Sequence, residues 1–336
     1  MSTSKCARNE SFCNILIVGA TGVGKSSLIN YLAGKKVAKV GVGVPVTTRD
    51  DIPNYRCDIA GVKLRLFDTW GIEVDKTEDW KGRISQIIGR QGCDGVAWFH
   101  TVVYCISAGS KRVQSYDRQM IRFFKDEGYS VVIALTKCDQ VAQSATEEIK
   151  TALPKAFPIV EMSSGGRIRF GICKPFGQED LLAKIVDRAM KNMPTRVKKF
   201  AIARIDEWES DMLSDLRYKD VSRFSNDDIE DWIKESAKTF SDQLGGEVDA
   251  FLENEYSILN KLSNSNMLSA YGFDINVSTL KEETSLSFGE GVLLVLALPA
   301  VIVGGLIYGE DWAREGLQKM IYRASEQMRD IVNKRY

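Results

Sequence analysis

This sequence of 336 residues has almost no histidine and no formal net charge. It contains one histidine, and its 45 basic and 45 acidic residues leave a formal net charge of zero. A chain without an excess of positive charge has no global attraction for polyanions, so we do not expect nucleic acid as its chief partner. The one histidine, His100, lies in the apolar stretch 96–106 and is expected to be structural.

The cysteines also exclude two kinds of site. Seven is an odd number, which disfavours a disulfide framework, and no pair has the C-x-x-C spacing of a zinc site. Residues 1–13 are polar and lack the apolar core of a signal peptide, so we expect a flexible N-terminus there. These features favour a cytoplasmic protein with reduced thiols.

Short β-branched runs alternate with amphipathic stretches over residues 14–193. This pattern predicts an α/β domain with a doubly wound, mostly parallel sheet and helices on both faces. The predicted strands are 15–18, 55–59, 63–67, 99–107, 131–135 and 159–162. The predicted helices are 25–33, 79–90, 114–126, 146–153 and 178–190.

The run GATGVGKSS, from Gly19 to Ser27, fits the pattern G-x-x-x-x-G-K-[ST] between a predicted strand and a predicted helix. Its glycines allow successive backbone N–H groups to converge on phosphate oxygens. We expect Lys25 to neutralise the β- and γ-phosphates and Ser26 to give its hydroxyl to Mg²⁺. The domain is therefore predicted to have a P-loop NTPase fold. The predicted phosphate-binding residues are Gly22, Val23, Gly24, Lys25, Ser26 and Ser27.

The sequence Thr136-Lys137-Cys138-Asp139 follows the fifth predicted strand, where a base can be read. The carboxylate of Asp139 can accept from both N1–H and N2–H of guanine, whereas adenine offers no such pair. Lys137 is expected to lie along the base. Ser163 and Ser164, after the sixth strand, suit a backbone contact to guanine O6. Together with Thr136, these residues predict binding of GTP and GDP.

Two further segments are typical of a switch that senses the third phosphate. Asp68-Thr69-Trp70-Gly71 has the D-x-x-G arrangement, in which Asp68 reaches Mg²⁺ through water and Gly71 offers its N–H to the γ-phosphate. The segment 45–50 supplies a hydroxyl for Mg²⁺. Loss of the γ-phosphate is expected to release both segments.

Taken together, these motifs resemble the translation-factor class of GTPases, and more narrowly its TrmE-Era-EngA-like branch, for which T-T-R in the first switch is typical. The resemblance covers residues 14–190. The motif T-G-V-G-K-S-S is also similar to the corresponding motif of septins, immunity-related GTPases and bacterial relatives of Era. The resemblance implies that Thr48 is a magnesium ligand with Ser26 and Asp68, and that Thr47 faces the nucleotide or an accessory ion. The candidate catalytic residues are Lys25, Thr48 and Gly71.

The sequence departs from these relatives at two positions. Potassium-using members of the TrmE group carry Asn at the place of Gly22, so cation-stimulated hydrolysis is not expected. Ile72 stands where Ras-type enzymes have the glutamine that orients the attacking water, which predicts slow hydrolysis in the monomer. A homodimer through the nucleotide face, or another partner, could complete the site. The acidic candidates for positioning the water are Glu73, Glu78 and Asp79. Trp70, beside them, is either a partner anchor or a packed core residue.

Residues 194–336 are long, charged and helix-periodic, and predict an all-α domain. Within it, residues 291–309 form a stretch of 19 residues without a charge. As a helix this stretch would be about 28 Å long. Basic residues follow this segment, so the positive-inside rule keeps the tail on the same side as the nucleotide domain. The segment therefore predicts a hairpin that either dips into a membrane or is buried in the helical domain.

Three functions are compatible with these features. The first is a GTP-controlled switch with slow GTP hydrolysis, in which the helical domain couples nucleotide state to a protein partner or to the cytosolic face of a membrane. The second is an Era-like GTPase for assembly of ribosomes or other RNA particles. The third is a scaffold that binds GTP and self-associates without useful turnover.

Overall fold

The computed structural model describes residues 12–39, 52–59, 61–73, 76–90, 99–110, 112–168, 171–219, 226–271 and 310–335. The predictions for Thr47, Thr48 and the segment 291–309 lie outside these residues. The predicted flexible N-terminus extended to residue 13, but Cys13 is the first residue of a strand, and Phe12 and Cys13 are both buried. The domain therefore begins earlier than predicted, because the buried first strand includes Cys13 and the polar residue Asn14, and Phe12 before it is also buried.

A six-stranded sheet has the order β2-β3-β1-β4-β5-β6, in which only the edge pair β2 and β3 is antiparallel. The predicted mostly parallel sheet is therefore confirmed. A small antiparallel hairpin, β7 and β8, was not predicted from the sequence. The strands are Cys13–Gly19 (β1), Asn54–Ile59 (β2), Val62–Asp68 (β3), Thr101–Ser107 (β4), Val131–Thr136 (β5), Ile159–Glu161 (β6), Gly166–Ile168 (β7) and Gly171–Cys173 (β8).

Eight α-helices occur in the described part of the chain. The predicted helix at 25–33 has the bounds expected, and the fourth helix begins three residues before its predicted start. The helices are Lys25–Ala33 (α1), Thr77–Arg90 (α2), Ser115–Asp126 (α3), Gln143–Ala152 (α4), Gln178–Lys191 (α5), Met193–Tyr218 (α6), Asn226–Ser263 (α7) and Glu310–Arg335 (α8).

Both faces of the sheet are covered by apolar side chains. Ile15 and Ile17 of β1 lie in one core cluster with residues of α1 and α5, whereas Leu16 and Val18 lie in a second cluster with residues of α2 and α3. Alternate strand residues point to opposite faces, so a strand covered on both sides is a continuous apolar run. This burial fixes the carboxyl ends of β1, β3 and β5, where the candidate motifs lie.

The chain divides into two compact units. The first comprises Met1–Met193 together with Glu255–Ile275, and the second comprises Pro194–Asn254 together with Asn276–Tyr336. The division after Met193 lies where the predicted α/β pattern ends and the long, charged, helix-periodic sequence begins. Glu255–Ile275 belongs to the first unit, whereas the sequence predicted a single helical domain over 194–336. The physical reason is the burial of Ile258, Leu262 and Leu268 in the core cluster of α1 and α5.

The second unit, in its described residues, is a group of helices joined by apolar and ionic contacts. Trp208 of α6 stacks on Phe240 of α7 with ring centroids 5.7 Å apart. Arg329 of α8 donates to Asp206 and Glu209 of α6, each at 2.7 Å. In the described ranges, none of the helices combines the length and apolar character needed to cross a bilayer.

Candidate functional site

The phosphate loop joins the end of β1 to the start of α1. Gly22 has φ 78° and Gly24 has φ 108°, values that L side chains rarely adopt. A Cβ atom at Gly19 would lie 2.4 Å from the carbonyl oxygen of Cys105 in β4. The loop therefore requires glycine both for its turn and for its close approach to the neighbouring strand.

Lys25 lies at the first position of α1 and is buried. Its Nζ donates to the carbonyl oxygens of Gly19 and Ala20, each at 3.0 Å, so the side chain folds back along the loop. Burial lowers the pKa of Lys25, while Cys105 and Asp68 oppose that shift. An ammonium group removed from water in this way is suited to pairing with a phosphate anion.

Ser26 and Asp68 bring a hydroxyl and a carboxylate together beside the loop. Ser26 Oγ donates to Asp68 Oδ2 at 3.1 Å, whereas Asp68 Oδ1 is buried and has no hydrogen-bond partner among the described residues. Burial raises the pKa of Asp68, although Lys25 and the Ser26 hydroxyl lower it. A hydroxyl oxygen and an unsatisfied carboxylate oxygen fit Mg²⁺, which prefers oxygen ligands and keeps several waters. Thr48, the third predicted ligand, lies outside the described residues.

The second switch packs directly against the phosphate loop. The N–H of Ile72 donates to the carbonyl oxygen of Gly19 at 3.2 Å. A Cβ atom at Gly71 would lie 2.1 Å from Thr21 Oγ1 and 2.6 Å from Thr21 Cα. Glycine at position 71 therefore allows the backbone of the second switch to lie against the phosphate loop.

Trp70 is a core residue in this structure. It is buried, and its ring lies 5.6 Å from that of Trp80, whose Nε1 donates to the carbonyl oxygen of Trp70. Of the two interpretations that the sequence left open, the packed one agrees with the structure. Ile72 is also buried, in the same cluster.

The acidic residues of the second switch are engaged in local ion pairs or line a cavity. Glu73 pairs with Lys76 at 2.6 Å, and Glu78 pairs with Lys81 at 2.8 Å. Asp79 lines a cavity beside Gly71.

The base-reading segment is tied to the phosphate loop by two side chains. Thr136 Oγ1 donates to the carbonyl oxygen of Val23 and lies 3.2 Å from that of Ile106. Lys137 Nζ donates to the carbonyl oxygen of Gly22 at 2.7 Å. Lys137 is the one non-glycine residue with positive φ, 58°, in the described part of the chain. This turn leads into the short helix that carries the half-buried Asp139.

The serines predicted to contact guanine O6 lie next to this segment. The N–H of Cys138 donates to the carbonyl oxygen of Met162 at 3.2 Å, which joins the two loops. Ser163 is buried and exchanges backbone hydrogen bonds with Phe176, whereas Ser164 is exposed. Ser27, at the other side of the site, is half-buried on α1.

The structure therefore gathers most of the predicted site residues at the carboxyl ends of β1, β3 and β5. Sequence reasoning missed Thr21, which lies against Gly71. The sequence did contain an indication of this residue, because Thr21 has the one polar side chain between Gly19 and Lys25.

Residues 14–137 match the family model described as a 50S ribosome-binding GTPase. Similar curated proteins include GTPase Der of Bifidobacterium longum, 30% identical over 154 residues, which are 45% of this chain and 32% of that protein. They also include tRNA modification GTPase MnmE of Bacillus velezensis, 35% identical over 148 residues, which are 44% of this chain and 30% of that protein. The chain thus spans about a third of the length of these relatives.

Among solved structures, Toc33 of Arabidopsis thaliana with Mg²⁺ and GMPPNP is similar at 16% identity. The alignment covers 54% of this chain and 85% of that chain, with a TM-score of 0.41.

The matched motifs and the family model identify residues 14–137 as similar to the G domain of P-loop GTPases. Helical sequence follows this domain in the chain.

Proposed function

We propose that this protein is a Mg²⁺-dependent guanine-nucleotide switch that slowly hydrolyses GTP to GDP and phosphate. The observation that carries the proposal is the pair formed by Ser26 and Asp68, with the second carboxylate oxygen of Asp68 buried and unsatisfied within the described structure. Such an oxygen costs free energy unless a ligand or water satisfies it. Mg²⁺ held by Ser26, Thr48 and Asp68 would neutralise charge on the β- and γ-phosphates.

Guanine is the base that this site favours. The hydrogen bonds from Thr136 and Lys137 join the segment that carries Asp139 to the phosphate loop, which supports this assignment. A carboxylate at that place is satisfied by two N–H donors of guanine and is left unpaired by adenine. The names of the curated relatives, which are GTPases, support this assignment.

Slow turnover is supported by the burial of Ile72. Its side chain is 2% exposed and packs in the core cluster of α2 and α3, so it neither carries a polar group nor faces the site. Lys25 and the backbone N–H groups provide electrostatic stabilisation of the transition state. The usual glutamine for orienting the water is missing.

Calorimetry with the full chain tests nucleotide binding. We expect GTP and GDP to bind in the presence of Mg²⁺ and ATP not to bind. Removing Mg²⁺ with a chelator, or introducing Asp68→Asn, should weaken GTP binding more than GDP binding. Tight binding of ATP with no heat for GTP would contradict the proposal.

The helical part of the chain is proposed to couple nucleotide state to a membrane or a protein partner, with the protein peripheral on the cytosolic face. The support is the uncharged segment 291–309 and the basic sequence that follows it. Flotation with anionic liposomes should differ between the GDP form and the form with a non-hydrolysable GTP analogue. Absence from the lipid fraction in both forms would remove the membrane part.

A second candidate function is assembly of ribosomes or RNA particles. The description of the matched family model as ribosome-binding favours it, as does similarity to a tRNA modification GTPase. The zero net charge of the chain counts against it. Co-sedimentation with ribosomal subunits at low salt, lost on raising the salt, would support this candidate.

Self-association through the nucleotide face is the remaining possibility that the chain allows, as a route to catalysis or as a scaffold. The rate of GTP hydrolysis per molecule distinguishes the two when it is measured against protein concentration. A rate that rises with concentration indicates a dimer that completes the site. No turnover at any concentration indicates a scaffold.

A further inference from the structure

The contacts of the phosphate loop distinguish its base end from its terminal-phosphate end. At one end, Lys137 and Thr136 bind the carbonyl oxygens of Gly22 and Val23, so this end lies toward the base. At the other end, Lys25 Nζ binds the carbonyl oxygens of Gly19 and Ala20. Because this lysine reaches the β- and γ-phosphates, the latter end lies toward the terminal phosphate.

Thr21 lies at the terminal-phosphate end of this loop. It directly follows Ala20, whose carbonyl oxygen accepts from Lys25 Nζ. Its hydroxyl also lies against Gly71, since a Cβ atom there would come within 2.1 Å of Thr21 Oγ1. The hydroxyl therefore lies beside Gly71, in the residue that follows a carbonyl bound by Lys25, and both of these residues are expected to contact the γ-phosphate.

Thr21 also has the exposure and chemistry that Ile72 lacks. Thr21 is exposed, whereas Ile72 is 2% exposed and packs among apolar residues. Of the three loop residues with side chains between Gly19 and Lys25, Ala20 and Val23 are apolar. A hydroxyl can accept one hydrogen bond and donate another, which are the two contacts needed to orient a water molecule.

We propose that the hydroxyl of Thr21 positions the water that attacks the γ-phosphorus of GTP. This inference rests on the proposed hydrolysis of GTP. The water oxygen forms a bond to phosphorus while the bond from phosphorus to the β–γ bridging oxygen breaks, and GDP leaves with that electron pair. A proton of the water passes to a γ-phosphate oxygen, so Thr21 orients the water and gains or loses no proton overall.

Thr21→Val tests this role because valine has the shape of threonine without the hydroxyl. We expect single-turnover hydrolysis to slow by about tenfold, because one hydrogen bond made in the transition state is lost. The affinity for GDP should remain within twofold of the wild type. Thr21→Ser, which keeps the hydroxyl, should restore most of the rate.

A binding measurement gives a second readout that does not depend on turnover. Aluminium fluoride with GDP mimics the transition state, so its complex should form about tenfold more weakly in Thr21→Val than in the wild type. Thr151→Val is the matched control, since Thr151 is an exposed threonine of α4. It should behave as the wild type in both measurements.

The outcomes separate this inference from the proposed function. A wild type that neither hydrolyses GTP nor binds GDP with aluminium fluoride overturns both. An active wild type with an unchanged Thr21→Val variant overturns only the role of Thr21. Loss of activity in Glu73→Gln together with full activity in Thr21→Val assigns the water to Glu73 and also overturns it.

Discussion

His100 and Glu255 form a fully buried contact, in which Nε2 of the imidazole lies 2.8 Å from Oε2 of the carboxylate and each side chain is 1% exposed. His100 Nδ1 accepts the backbone N–H of Asn14 at 3.0 Å, so in the neutral ring the proton lies on Nε2, the nitrogen beside the Glu255 carboxylate. Asn14 belongs to β1 and Glu255 to α7. The imidazole thus joins the strand that carries the phosphate loop to a helix more than 200 residues away in sequence.

We expect Glu255→Ala to lower the free energy of unfolding by about 3 kcal/mol, because it leaves a buried polar partner without its acceptor. Glu255→Gln should cost less, since its amide oxygen can still accept from His100. Urea denaturation of the full chain measures both. Glu326→Ala, at an exposed position of α8, is the control. An alanine variant within about 0.5 kcal/mol of the wild type would contradict the importance of the contact.

Asp139→Asn should change the choice of base. The amide cannot accept from two N–H donors as the carboxylate does, so GTP affinity should fall by about 10- to 100-fold. Xanthosine triphosphate, with its additional oxygen, should gain relative to GTP. Calorimetry with both nucleotides checks this expectation, and Gln140→Ala, at the exposed neighbouring position, serves as control. An unchanged preference for GTP would refute the base-reading role of Asp139.

Gly71→Ala should impair the GTP-bound state selectively. The new methyl group would lie 2.6 Å from Cα and 2.7 Å from N of Thr21, so backbone must move. We expect affinity for a non-hydrolysable GTP analogue to fall by about tenfold or more, with GDP affinity preserved, because the N–H of residue 71 is predicted to contact only the third phosphate.

Gly82→Ala is the matched control for that substitution. A Cβ atom at Gly82, in α2, meets no neighbouring atom within 4 Å. This variant should keep the affinity for both nucleotides and gain slightly in stability, since alanine favours helix over glycine by up to about 1 kcal/mol. Equal affinities in Gly71→Ala and Gly82→Ala would contradict contact between Gly71 and the γ-phosphate.

Cys138 should react slowly with iodoacetamide at neutral pH. Burial raises the pKa of its thiol to about 11, and Sγ donates to the carbonyl oxygen of Leu135 at 2.9 Å. The thiolate is the reactive form, so a raised pKa means less of it, and the rate should increase about tenfold per pH unit between pH 8 and 10. Mass spectrometry after timed alkylation measures this. GTP should slow the reaction at Cys138, which lies beside Asp139.

Much of the G domain could be predicted because its strands are buried on both faces. β1, β4 and β5 are nearly continuous apolar runs, and each predicted motif follows the strand that positions it. The sequence therefore predicted the strands that precede the phosphate loop and the base-reading segment. The contacts between this loop and this segment, such as Lys137 with Gly22, depend on tertiary geometry that spacing does not contain.

Other features of the structure could not be predicted, because the sequence contains no pattern that indicates them. Strands β7 and β8 have three residues each, too few for a periodic pattern. The helical period of α7 shows which residues are apolar but not which partner they cover, so the return of Ile258 and Leu262 to the first unit was not foreseen. Trp70 was ambiguous for the same reason, since composition does not distinguish an anchor from a core ring.

The return of residues 255–271 has a practical consequence for anyone who wishes to isolate the nucleotide domain. A fragment ending at Met193 would lack Ile258, Leu262 and Leu268, and the apolar residues of α1 and α5 that they cover would meet water. Such a fragment is expected to aggregate or to bind nucleotide weakly, whatever the intact chain does. Excision would need both pieces of the first unit, joined by a linker in place of residues 194–254.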